Sequence, residues 1–133
     1  MKNIIIIGEP NSGKSLMARG VLSEYEPLQR QSLSLLYIGK HKNDHSPAQR
    51  LFYELQSTTK VVLVEDIPLE YFKELAFLCK DGKITINPRL EPIQEIQVQF
   101  ILQFVGKPEL VLDFLGKKSI QRHYKVFQTQ QIQ

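Results

Sequence analysis

The 133-residue chain predicts an α/β fold of three layers: a five-stranded, mainly parallel sheet between helices, with an inserted β-hairpin. Three observations predict it. Apolar runs of strand length alternate with stretches of helical periodicity, the order that builds crossover units around parallel strands. The runs "IIII" and "VVLV" are apolar at every residue, as buried strands are. The segment "KITINPRLEPIQEIQVQ", 83–99, places two alternating arms around the turn "NPRLEP", a hairpin pattern.

In chain order, Lys2 to Gly8 is the first strand, and a loop feeds a helix from about Lys14 to Tyr25. "LSLLYIG", 33–39, is a strand ending at Gly39, followed by the polar loop "HKNDHSP". Ser46 suits an N-cap and Pro47 a first helical position, opening the helix "AQRLFYELQ". "KVVLVED", 60–66, is an apolar strand that stops abruptly in two acids. "PLEYFKELAFLCKDG" spaces Leu69, Phe72, Leu75, Ala76 and Cys79 at helical intervals, with Gly82 as C-cap. After the hairpin come the core strand "VQFILQFVG", the short helix "PELVLDFLG" and a last strand, "RHYKVFQ". Residues 1–127 form one domain, and 128–133 a polar, frayed tail. Phe52, Tyr53, Tyr71, Phe72 and Phe77 fall at helical spacing and are expected in the core.

Composition narrows the class. With 42% hydrophobic and 23% charged residues the chain is globular. A net charge of +3 permits contact with phosphates without the dense basic tracts that would demand a nucleic acid. A lone cysteine, Cys79, excludes an intramolecular disulfide and fits a reducing compartment. The run Ile4 to Ile7 is too short for a membrane span. The expectation is a soluble, cytoplasmic domain, or a nuclear one if the source is viral.

The chemistry begins at "GEPNSGKS", which fits G-x-x-x-x-G-K-[ST] between a strand and a helix, the context of a P-loop. Gly8, Glu9, Pro10, Asn11, Ser12, Gly13, Lys14, Ser15 and Leu16 are the expected nucleotide-binding residues. Backbone N–H groups and the helix N-terminus surround an anion, Lys14 neutralises the β/γ-phosphates, and the Ser15 hydroxyl coordinates Mg²⁺. Glu65 and Asp66 end a neighbouring strand, where ligands of open α/β sheets bind. Glu65 suits the Mg²⁺ shell, and Asp66 the orientation or deprotonation of an attacking water. The bland alternative is a strand capped by solvated charge. His41, Asp44 and His45 share one loop but lack a third convergent ligand pattern, so they read as solvated. The loop and acids alone leave a motor, a kinase and a non-catalytic ATP-binding module open. A small-molecule kinase needs a lid with several arginines, and the span Lys40 to Lys60 holds only Arg50.

Four collinear stretches resemble the superfamily-3 helicases of papillomavirus and polyomavirus type: "GEPNSGKS", "SPAQRLFYELQSTTKVVLVEDIP", "YFKELAFLCKDGKITINPR" and "SIQRHYKVFQ". The resemblance implies a P-loop NTPase core of the AAA+/superfamily-3 type. ATP and Mg²⁺ would be its cofactors, single-stranded nucleic acid its partner, and a homo-oligomer, up to a hexamer, its assembly. It implies a nucleic-acid contact at Arg89, in the hairpin turn, where the histidine that follows in the viral enzymes is Leu90. It also implies an arginine finger at Arg122 that reaches a neighbour's γ-phosphate. The family's sensor asparagine falls on Gly106, which has no side chain. Gln103 substitutes for it only if the strand shifts register.

Overall fold

A computed structural model describes residues 2–8, 14–35 and 46–129, without the side chains of Lys14 and Ser15. Five parallel strands form one sheet: β1 (Asn3–Gly8), β2 (Arg30–Ser34), β3 (Val61–Pro68), β6 (Gln99–Val105) and β7 (Tyr124–Thr129). Their spatial order is β2-β3-β6-β1-β7. The hairpin β4 (Lys83–Ile86) and β5 (Gln94–Gln97) is a separate antiparallel pair, as its alternation predicts. The helices are α1 (Lys14–Leu22), α2 (Pro47–Glu54), α3 (Phe72–Cys79), α4 (Leu112–Leu115) and α5 (Lys118–His123).

The apolar runs are explained by helices on both faces of the sheet. Ile4 and Ile6 of β1, Val61 and Leu63 of β3, and Ile101 of β6 pack with Ala18, Val21 and Leu22 of α1. Their alternates Ile5, Ile7, Val62, Val64, Phe100, Leu102 and Phe104 meet α2, α3, α4 and the hairpin in the larger core. Each central strand therefore buries both of its faces, which only a continuous apolar sequence tolerates. Within the larger core, the rings of Phe72 and Phe104 lie 4.9 Å apart between centroids.

Local signals hold where they were strongest. Ser46 Oγ accepts from the Gln49 N–H at 3.3 Å and Gln49 Oε1 from the Ser46 N–H at 3.2 Å, closing a capping box with Pro47 at the helix start. The C-cap of α3 is Lys80 instead of Gly82, which follows two residues later in the turn into β4 with φ +67, a conformation open to glycine.

Other boundaries move. The second strand occupies Arg30–Ser34, earlier than the apolar run suggests, and residues 36–39 lie outside the described residues. As an edge strand with one solvated face, β2 accepts "RQSLS", and Gln31 Nε2 anchors it by donating to the Glu54 carbonyl at 2.6 Å. Residues Arg122 and His123 belong to α5 instead of the last strand, whose pairing begins at Tyr124 opposite Asn3. β7 runs on to Thr129, into the segment read as a tail. Of the aromatics expected in the core, Phe72 is buried and Phe52 and Tyr71 partly so, but Tyr53 and Phe77 are exposed, at 50% and 72%.

Candidate functional site at the carboxyl ends of the strands

β1 ends at Gly8 and α1 begins at Lys14. Glu9, Pro10, Asn11, Ser12 and Gly13 lie outside the described residues, as do His41, Asp44 and His45. Leu16, on the first turn of α1, is exposed. The strand and helix that flank the loop therefore stand where a P-loop needs them.

Two strands away, a bulge shapes the acidic end of β3. Val64 pairs with Leu102 and Ile67 with Phe104, so Glu65 and Asp66 together oppose the single residue Gln103. Asp66 adopts φ +57, a left-handed conformation that asparagine and aspartate tolerate better than most side chains. Without the bulge, consecutive residues would point to opposite faces of the sheet. With it, both acids fall between Val64 and Ile67, which face the larger core. Both are half-buried. Two strand spacings separate β3 from β1, about 10 Å, a gap that a nucleotide's phosphates and their cation can bridge.

Residues that sequence reasoning had not singled out for the site hold Asp66. The Ser34 hydroxyl donates to Asp66 Oδ2 at 2.8 Å. Arg50 Nη1 donates to the Ser34 carbonyl at 2.7 Å, and its Nη2 pairs with Glu54 Oε2 at 3.1 Å. The Leu35 N–H donates to the Glu65 carbonyl at 2.9 Å. Only the pairing of β2 with β3, which sets Ser34 level with Glu65, brings this group together.

Gly106 follows β6, and its N–H donates to the Gly8 carbonyl at 3.2 Å. Its φ is +149, and a Cβ there would stand 2.3 Å from Leu69 Cδ1 and 3.0 Å from Leu69 Cγ. The glycine is thus required by backbone and packing. Gly106→Asn, the obvious restoration of a sensor side chain, is expected to destabilise the fold by about 2 kcal/mol through backbone strain and overpacking. Urea denaturation measures it, and wild-type stability in that variant would show that the loop relaxes freely.

The two implied cations sit elsewhere. Arg89 lies exposed in the hairpin turn beside Leu90, whose φ is +67. The hairpin leaves the main sheet at its amino-terminal end, where the Val98 N–H donates to the Gly82 carbonyl at 2.7 Å. Arg122, exposed on α5, lines a cleft with Lys2, Lys80, Asp81 and His123, and His123 Nδ1 stands 4.0 Å from Asp81 Oδ1. Because Tyr124 pairs with Asn3 and Thr129 with Gly8, Arg122 sits a strand length, about 17 Å, from the end of its own phosphate strand. Neither arginine joins the acids within one chain.

Carboxylate and hydroxyl oxygens of Glu65 and Ser15 are the donors a hard Mg²⁺ ion prefers, with phosphate oxygens and water completing its shell. Among the described residues no three His, Cys, Asp or Glu side chains converge as a metal cage. Cys79 is fully buried and desolvation raises its thiol pKa well above the ordinary value, so it offers no nucleophile. No described helix is long and apolar enough to cross a membrane.

No family model and no curated protein matches the chain. Solved structures do. The apo C-terminal region of NrS-1 matches with TM-score 0.56 at 16% identity, over 97% of this chain and 29% of that one. JCV helicase, bound to a thiazolopyridine compound, matches with TM-score 0.57 at 15% identity, over 97% of this chain and 36% of that one. The chain thus spans about a third of the length of either of those chains. With β6 interposed between the phosphate-loop strand and the acid-bearing strand, the chain has a P-loop NTPase fold, and it shares that fold with a helicase.

Proposed function

We propose that the chain is the ATP-hydrolysing core of an oligomeric motor of superfamily-3 helicase type, acting on single-stranded nucleic acid. The observation that carries this reading is the bulge that presents Glu65 and Asp66 together at the strand ends, two strands from Gly8. A kinase needs no such pair beside an interposed strand, whereas hydrolysis needs one group near the cation and one near a water. The fold likeness to JCV helicase supports the same reading.

Lys14 would neutralise the β- and γ-phosphates, and Ser15 and Glu65 would hold Mg²⁺, which supplies charge neutralisation on the phosphates when bound. Asp66, oriented by Ser34, accepts a proton from the attacking water. The water oxygen bonds to the γ-phosphorus as the bond to the β–γ bridging oxygen breaks, and ADP leaves with that electron pair. Arg122 of a neighbouring copy would meet the developing charge, since its own phosphate strand ends about 17 Å away. Arg89, exposed in the hairpin turn, would contact the nucleic-acid backbone as a cation.

Release of phosphate from Mg-ATP, with and without single-stranded DNA, tests the motor. Turnover that rises with DNA is expected, together with a ring-sized species in sedimentation with a non-hydrolysable analogue. A monomer with no turnover in either condition would sink it. Gly106 favours one second reading, a nucleotide-binding module without turnover, because its position offers no side chain to a γ-phosphate. That reading expects ATP affinity and no phosphate release.

A further inference from the structure

Three lysines and two phenylalanines gather where α3 meets the turn from α4 into α5. Lys73 Nζ stands 5.1 Å and Lys117 Nζ 4.8 Å from the centroid of one ring, Phe114. Lys80 Nζ stands 4.6 Å from the centroid of Phe77. Lys73, Phe77 and Lys80 fall at i, i+4 and i+7 of the helix, so they share its outer side, while Phe72, Leu75, Ala76 and Cys79 turn into the core. Phe114 is half-buried against α3, with its centroid 6.1 Å from that of Phe72. Phe77 has no such cover and is 72% exposed.

A ring quadrupole attracts an ammonium group but carries no charge to cancel it. Lys73 and Lys117 lie within about a Debye length of each other, about 10 Å at 0.1 M salt, so each raises the electrostatic cost of the other. The exposed acids Glu74 and Asp113 are close in sequence. The ion pairs among the described residues are nevertheless Arg50–Glu54 and His123–Asp81, and neither involves these lysines. The complement of this face is therefore carboxylates for the lysines and an apolar side chain for Phe77. The mixed signs decide which anion fits. A nucleic acid carries a phosphate at every step, about 3.4 Å along a stacked strand, and would set phosphates against Glu74 and Asp113 too. A polypeptide can place its acids at the lysines alone. An aromatic centre with a charged rim is also how protein interfaces are made.

We propose that this face of α3 docks an acidic segment of a partner protein. One carboxylate of the segment bridges Lys73 and Lys117, a second meets Lys80, and an apolar side chain between them covers Phe77. Lys73 and Lys80 are seven residues apart, about 10 Å along the helix axis. An extended segment covers that span in about three residues, at about 3.3 Å each, so its two acids stand two to four residues apart. The phosphate loop, Glu65, Asp66 and Arg89 take no part, and the proposal holds whether or not the chain hydrolyses ATP.

The test selects a phage-displayed library of random peptides on the wild-type chain and then measures the enriched sequence as a synthetic peptide by fluorescence anisotropy. The expected consensus has two acids two to four residues apart with an aromatic or aliphatic residue between them. Phe77→Ala should weaken the peptide about fivefold or more. The double variant Lys73→Glu with Lys117→Glu should weaken it at least about tenfold, and added salt should weaken the wild-type complex. Circular dichroism verifies folding, and Lys73→Gln with Lys117→Gln replaces the charge reversal should that not fold. No consensus, a consensus without acids, or wild-type affinity in both variants would overturn the proposal. Two further measurements set it against other occupants. Binding of a deoxythymidine oligonucleotide that the same variants abolish would make the face a nucleic-acid track. A wild-type oligomer in sedimentation that Phe77→Ala disperses would make it a contact between copies. Either result overturns the partner segment, and variants that leave both measurements unchanged while losing the peptide support it.

Discussion

Lys14→Ala is expected to abolish ATP turnover, by roughly 10³-fold, and to weaken binding of an ATP analogue by more than tenfold. Across Gly8 to Ser15 the only other charged side chain is Glu9, an acid, so in the proposed nucleotide site lysine would be the loop's single cation against several phosphate charges. In that proposed site, backbone N–H groups and the start of α1 would supply partial charges. They would not replace a full ammonium beside the β- and γ-oxygens. Isothermal titration with the analogue, alongside phosphate release, measures both effects, and circular dichroism verifies that the variant is folded. A variant that keeps near-wild-type turnover would remove the P-loop from the mechanism altogether.

The second large effect is on stability. Asn3 is 3% exposed, and all of its amide is used. Nδ2 donates to the carbonyls of Cys79 at 2.8 Å and Lys80 at 3.2 Å, and Oδ1 accepts the Phe100 N–H at 2.9 Å. One side chain thereby ties the C-terminal end of α3 and the start of β6 to β1. Asn3→Ala would leave the Phe100 N–H buried without a partner, at about 1–3 kcal/mol, and would remove one hydrogen bond each from the carbonyls of Lys80 and of Cys79, the latter keeping its bond from the Gly82 N–H at 3.1 Å. A loss of about 3–4 kcal/mol is expected, a large part of the 5–15 kcal/mol typical of a domain. The melting temperature should fall by about 10 °C or more. A drop of less than about 3 °C would mean that water enters and satisfies those groups.

How far the fold was legible depends on how local each signal is. The runs at β1 and β3 and the capping box at Ser46 depend on neighbours within a few residues, and the structure follows them. The edge strand β2 does not: "RQSLS" lacks an apolar run because one of its faces is wet, so only pairing with Val61–Glu65 reveals it. Arg122 looked like part of a strand because "RHYKVFQ" is continuous in character, yet the strand pairing starts at Tyr124. Tyr53 and Phe77 share helical spacing with true core residues, but spacing alone does not tell which side of the helix meets the sheet.

The candidate site divides in the same way. The glycine-rich loop and the paired acids Glu65 and Asp66 were readable because each is a contiguous motif with the right flanks. By itself the sequence set a glycine-rich loop after one apolar strand and a carboxylate pair at the end of another. Only the tertiary structure decided that β6 lies between them, that a bulge turns both acids toward one residue, and that the residue is Gln103. It also decided that Gly106 is held by Leu69 and its own backbone, and that Arg122 lies at the opposite end of the sheet. The physical reason is register: strand order and pairing are set by long-range hydrogen bonds and by burial on two faces. Neither is encoded in any short stretch of the chain.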